Sequence, residues 1–140
     1  MIEDVIRKRV EAWADALRKD DIDAIVSAYA PDIVSFDIVA SLRYAGRENK
    51  RRAWEKALAG YYGPIGYEVH DLAVTAQGDL AFAYSLNRVS GTLANGQPSA
   101  LWMRWTACFR QIDGDWLIVH DHASVPADLE DGRALMDLTP

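Results

Sequence analysis

The chain has 140 residues, 50% of them apolar and 26% charged, with a net charge of -6 and a single cysteine. That is one domain's worth of chain with enough apolar content for a sizeable core, and its acidic balance argues against a nucleic-acid backbone or an anionic membrane surface as partner. One cysteine excludes an internal disulfide and suits a reducing cytoplasm, no apolar run approaches transmembrane length, and the charges scattered through residues 1–20 rule out a signal-peptide reading of that stretch.

Ile2, Val5, Ile6, Val10, Trp13, Ala14 and Leu17 recur at helical spacing, with Arg7, Lys8, Glu11, Asp15 and Arg18 elsewhere on the wheel. This predicts an amphipathic helix of about four to five turns. Lys19-Asp20-Asp21 interrupts it, and either Asp can cap a second, shorter helix carrying Ile22, Ile25, Val26 and Tyr29. Ala30-Pro31-Asp32 ends that helix. Ile33–Val39 reads as a first strand, with Ser35 and Asp37 pointing opposite to Val34, Phe36 and Ile38. Leu42–Gly46 is a loop. Glu48–Leu58 reads as a third helix with Ala53, Trp54, Ala57 and Leu58 inward, stopped by Gly60 and Gly63-Pro64. The basic cluster Arg47 and Lys50-Arg51-Arg52 reads as a solvated face of that helix.

The remainder is strand. Tyr67–Ala76, Leu80–Gly91, Ala100–Ile112 and the stretch from Trp116 to Pro126 are separated by turn signals at Gln77-Gly78-Asp79, Asn95-Gly96 and Asp113-Gly114. They predict an antiparallel meander. In the last strand, simple alternation puts Trp116, Ile118, His120, His122 and Ser124 on one face and Leu117, Val119, Asp121, Ala123 and Val125 on the other. Helices first and a sheet after them make the class α+β. Residues 1–126 form the expected domain, and 127–140 a polar C-terminal tail with no structure assigned.

Several of these stretches carry a resemblance. In order they are the helix and strand over Asp21–Asp37, the Leu42-x-Tyr-x-Gly46 loop ahead of a helix bearing Trp54, Met103-Arg104-Trp105-Thr106, Asp113-Gly114-Asp115-Trp116, and His120-x-His122-x-Ser124-x-Pro126. Together they resemble the SnoaL-like, ketosteroid-isomerase-like branch of the NTF2-like superfamily, over nearly the whole chain. The last motif is also similar to that of the association domain of calmodulin-dependent kinase II. The resemblance implies a cone, three N-terminal helices packed on a curved antiparallel sheet, with no cofactor and no metal. It also implies pairing sheet to sheet, which agrees with the apolar residues that such a sheet would leave facing outward. A homodimer through the sheet face is therefore expected. The fold does not deliver an activity, because the superfamily holds isomerases, cyclases, dehydratases and non-catalytic modules.

The candidate chemistry sits on polar residues inside apolar strands. His120 and His122 share a strand face with Cβ atoms about 6.5–7 Å apart. They are candidates for acid–base work, for chelation, or for a structural bond to a backbone carbonyl. Asp37 lies in an apolar run where Asp is disfavoured; it is the strongest carboxylate candidate for a base, and the alternative is a strand-end Asp bound to a nearby Arg or backbone amide. In isomerases of this superfamily an Asp base moves a proton beside a carbonyl, and a Tyr with a protonated Asp holds the enolate oxygen. That full constellation has no counterpart readable here. Arg104 is read as either an anion clamp or the partner of Asp121 or Asp37 in a salt bridge. A two-residue turn at Asp113-Gly114 would set Arg104 opposite Ala123, which favours the salt bridge. Tyr84, Tyr44, Trp54 and Trp105 are candidates for the pocket wall, while most aromatic residues, Phe82 included, are expected in the core.

Two functions follow as expectations. The first is a small-molecule-binding protein, with acid–base activity of the isomerase, cyclase or dehydratase type on a small apolar or weakly anionic molecule. The alternative is a non-catalytic ligand-binding or oligomerisation module.

Overall fold

The computed structural model describes residues 1–140. Helix α1 spans Ile2–Arg18 and buries the face made by Ile6, Val10, Trp13, Ala14 and Leu17. Glu3 and Asp4 in its first turn and Arg18 in its last complement the helix dipole. Helix α2 is short, Ile22–Ser27, and Asp21 caps it by accepting from the Ala24 amide at 3.2 Å. Tyr29 and Pro31 do not belong to that helix: strand β1 runs from Tyr29 to Phe36. Its proline falls on an exposed residue, where a missing N–H costs the ladder nothing. Strand β2 is the two-residue Tyr44–Ala45 inside the expected loop, and helix α3 covers Arg47–Ala59.

The meander follows as β3 (Gly66–Gln77), β4 (Leu80–Thr92), β5 (Pro98–Ile112) and β6 (Asp115–Ser124). Asp113 and Gly114 both take positive φ, 51° and 86°, which is the paired left-handed geometry of a two-residue hairpin turn. The sheet order is β2-β1-β6-β5-β4-β3. One pairing departs from the antiparallel expectation: β1 lies parallel to β6. Hairpin turns dictate direction only for the strands they join. β1 and β6 are connected through all the rest of the chain, so no turn constrains them. The sheet is curved and mixed, and it does not close. The expected tail folds back as a small hairpin, β7 (Ala127–Asp128) with β8 (Arg133–Ala134). No helix is long and apolar enough to cross a membrane.

A β-bulge in β6 decides which way its side chains point. Phe109 faces Ile118, but Cys108 already faces His120, so Val119 is the extra residue. Trp116 and Ile118 are buried beneath the helices, and beyond the bulge Asp121 takes the buried phase. Alternation from Trp116 alone puts His120 and His122 on the buried side and Asp121 opposite. The bulge reverses that assignment, because one added residue exchanges the two faces of everything after it. It also moves Arg104 opposite Ser124 rather than Ala123.

The core lies between the helices and one face of the sheet. Along β4 the inward positions are small, Ala81, Ala83, Ser85 and Asn87, and along β5 Ala107 adds to them. Those short side chains leave room for the ring of Trp13 from α1. It stacks on Trp105 with centroids 4.8 Å apart and planes 7° from parallel. It meets Tyr67 and Trp54 edge-on at 5.3 and 6.2 Å. Each such pair adds about 0.5–1.5 kcal/mol beyond area burial. The larger aromatic residues of β4 face the other way: Phe82 is 45% exposed, against the expectation of a core position, and Tyr84, expected on the pocket wall, is 54% exposed.

Candidate functional site

Beside the Trp13 cluster the packing opens into a cavity of about 280 Å³. Its walls come from four places. Trp13 projects from α1, and Lys50, Ala53, Trp54, Ala57 and Leu58 from α3; Asp37, Ile38 and Val39 follow β1; Tyr67, Trp105, Asp121 and Ala123 come from the sheet. Met136 of the C-terminal tail closes part of the rim. Apolar side chains dominate, as in most small-molecule sites, and the volume is near the lower end of about 300–1,000 Å³ for such pockets.

The polar floor is built on Lys50, which is 3% exposed. Its ammonium lies 3.6 Å from Asp37 Oδ2 and 3.8 Å from Asp121 Oδ1. The same nitrogen stands 5.7 Å from the Tyr29 ring centroid and 5.6 Å from that of Trp54, so aromatic faces share in stabilising the cation. Asp121 is bound on both oxygens: the Ser35 hydroxyl and Lys50 meet Oδ1, and the Trp105 indole N–H donates to Oδ2 at 3.4 Å. Asp37 is less enclosed, with its side chain 24% exposed. Its Oδ1 accepts from the Ile38 amide at 2.7 Å.

Two tyrosines flank this group. Tyr29 accepts from the indoles of Trp13 at 3.1 Å and Trp54 at 2.7 Å. Tyr67 accepts from Asn87 Nδ2 at 2.9 Å, and Asn87 is itself oriented by the Ser85 hydroxyl at 2.6 Å from Oδ1. An amide N–H can only donate, so the Tyr67 hydroxyl keeps its own proton free to donate. Burial raises the pKa of Tyr67, and the charges of Asp121 and Asp37 raise it further against the opposing Asn87 bond. Burial, then Asp121, raises Tyr29 well above the usual phenol value. Both are neutral donors at physiological pH.

The structure divides the expected site residues. Asp37, Trp54 and Trp105 stand on the cavity wall. His120, His122, Arg104 and Tyr84 do not: they lie on the open face of the sheet. His120 donates from Nδ1 to the Val34 carbonyl at 2.6 Å, the structural alternative, and its ring packs against Phe36. His122 is exposed and touches the same Phe36 ring. Arg104 is exposed and donates to Ser124 Oγ at 3.1 Å; it reaches neither Asp121 nor Asp37, whose cation is Lys50. The Tyr44 hydroxyl is bonded to the Ala40 carbonyl and is not on the wall.

Lys50 and Tyr67 are the residues that sequence reading missed. Lys50 was grouped with its basic neighbours as solvated, yet positions 50, 53, 54, 57 and 58 form one i, i+3, i+4, i+7, i+8 stripe, and the lysine is its first member. For Tyr67 the signal was the alternation of β4, whose small inward residues open space for a ring from β3.

Helices on one face of a curved sheet, enclosing an apolar cup with a polar floor, define a pocket-bearing α+β fold of the NTF2-like type. The chain belongs to the SnoaL-like family, whose domain model matches residues 6–128. An NTF2-like protein of unknown function from Pseudomonas putida is 37% identical, with a TM-score of 0.90 over 99% of this chain and 96% of that one. A ketosteroid isomerase-like protein from Erwinia carotovora atroseptica is 19% identical, with a TM-score of 0.75 over 87% and 94%. A candidate dehydratase of the NTF2-like family from Streptomyces avermitilis is 17% identical, with a TM-score of 0.74 over 85% and 92%. The last two likenesses concern the fold alone. No curated protein sequence matches.

Proposed function

We propose that the protein binds a small, mostly apolar molecule in this cavity and moves a proton on it without a cofactor, as an isomerase, cyclase or dehydratase does. The observation that carries the reading is the meeting, on one apolar wall, of an accessible carboxylate at Asp37 and a phenol at Tyr67 with a proton to give. Asp37 takes the proton from carbon or hydroxyl. Tyr67, held by Asn87, donates to the oxygen on which negative charge develops. Lys50 stands within 4 Å of both Asp37 and Asp121 and holds the two side chains together. The names borne by the isomerase-like and dehydratase-type neighbours support the same chemistry.

The test is deuterium exchange from D₂O into a panel of small cyclic ketones and β-hydroxyketones, followed by NMR. Exchange should be catalysed by the wild type and fall about 10²–10⁴-fold in Asp37→Asn, the range for loss of a positioned base. Catalysed exchange that Asp37→Asn leaves unchanged would remove the carboxylate from the mechanism.

A non-catalytic binding module is the second reading. It is supported by Lys50 standing within 4 Å of both carboxylates, which leaves the floor largely paired with itself. Ligand retention with no exchange on any ketone would favour it. In either case we propose a homodimer through the open face of the sheet, where Phe36, Leu80, Phe82 and Tyr84 are 38–54% exposed. The lone thiol of Cys108 suits a cytoplasmic location.

A further inference from the structure

The cavity's formal charges do not cancel. Its wall holds two carboxylates, Asp37 and Asp121, and one cation, Lys50. The tyrosines on the wall add no charge, since burial holds Tyr61 and Tyr67 in their neutral forms. The nearby guanidinium of Arg47 is spent on the Tyr29 carbonyl at 3.0 Å and is not on the wall. Arg104, read from the sequence as an anion clamp or a salt-bridge partner, is on the other face of the sheet, as are both imidazoles of β6.

The surplus negative charge falls on Asp37. Asp121 is 3% exposed and has partners on both oxygens. Asp37 is the more exposed of the two, and its one hydrogen bond is to the Ile38 amide on Oδ1. Lys50 approaches Oδ2 only to 3.6 Å, beyond the 2.7–2.9 Å of a charge-assisted N–H···O bond. Oδ2 therefore retains room for a closer donor. The surrounding surface is aromatic, with Trp13, Trp54 and Trp105 on the wall, and ring faces attract cations. The chain as a whole adds to the field with its net charge of -6.

From this we infer that the molecule this pocket selects carries a protonated amine on a small apolar ring system, with the ammonium on Asp37 Oδ2 and the ring among the tryptophans. The inference rests on the reading of the cavity as a ligand site, makes Asp37 an anchor rather than a base, as in the binding-module reading, and proposes a cationic ligand in place of the small apolar or weakly anionic one expected.

Three near-isosteric probes decide it: 2-phenylethylamine, 2-phenylethanol and phenylacetate, titrated at pH 7 and low salt. The readout is quenching of the tryptophan emission, since three of the five tryptophans line the cavity. The amine should bind tightest and the carboxylate weakest. Asp37→Asn should weaken the amine about tenfold or more, the worth of one hydrogen bond to a charged group, while changing the alcohol less than about twofold. An alcohol or carboxylate that binds as well as the amine overturns the charge class and leaves the site standing. Failure of all three to bind at millimolar concentration overturns the cavity as a ligand site, and the proposed function with it.

Discussion

On the helix-covered face of the sheet, Asp121 is tied to Ser35, Trp105 and Lys50; one residue later in β6, His122 projects from the open face and packs beside Phe36. The contrast holds across the sheet. The covered face presents small residues with a few polar groups, each bonded to another: Ser85 to Asn87, Asn87 to Tyr67. The open face presents large aromatic residues with charges that pair locally at the surface, as Glu68 does with Arg88. A polar group in a low-dielectric interior costs several kcal/mol if left alone, so there each must have a partner. On the open face water does that work, and the same residue types carry little energy. Polar residues inside apolar strands are therefore a sign of a site only once it is known which face they occupy.

The sharpest way to break the comparison is Lys50→Met. It leaves two carboxylates facing each other with no cation, and the protein should lose about 3–5 kcal/mol of stability, the usual cost of stranding a buried charge. Urea denaturation at pH 7 measures it, and a loss under about 1 kcal/mol, the ordinary yield of a surface pair, would mean the floor is wetter than its burial implies.

Next comes alkaline pH. Tyr29 and Tyr67 are held neutral in the fold, chiefly by burial, with pKa values above the usual phenol value. In the unfolded chain they ionise near pH 10. Above that pH the unfolded state sheds protons that the native state keeps, so stability that is present below about pH 10 is lost as pH rises beyond it. The urea midpoint should fall between about pH 9 and about pH 11. Phenolate absorbance should show two of the six tyrosines titrating only as the protein unfolds. A midpoint that holds through that window would contradict the buried network.

The smallest effect on stability belongs to the open face. Phe82→Asp should leave the folded monomer within about 0.5 kcal/mol, as for an exposed position outside any network, yet abolish the proposed dimer. Sedimentation at micromolar concentration should give twice the 15.6 kDa chain mass for wild type and a single chain mass for the variant. A wild type that sediments as one chain would leave the exposed aromatic residues without that explanation.

The fold was legible where local chemistry speaks. Helical spacing from Ile2 to Leu17, turn signals at Asn95-Gly96 and Asp113-Gly114, and alternation in the long strands place the helices and the meander. The parallel pairing of β1 with β6 was not, because it is a contact between ends of the chain that no turn records. Of the site, Asp37 was legible from its apolar neighbours. Lys50 was hidden by adjacent basic residues that do face water, and Tyr67 by its position at the start of a strand with nothing unusual around it. The histidines misled because they are the residues most often used for proton chemistry, and chemical type alone does not reveal orientation.

Val119, the extra residue of β6, sets something like a reading frame for the residues after it. Deleting it would restore strict alternation and leave Asp121 facing the tryptophans, because the residues after it already stand in phase with Ile118. A strand with every residue kept but no bulge would instead turn His120 and His122 inward and Asp121 out, so one kink separates two different pockets on one scaffold. Related chains that pair this strand without the bulge need not share a chemistry, however similar the rest of their sequences.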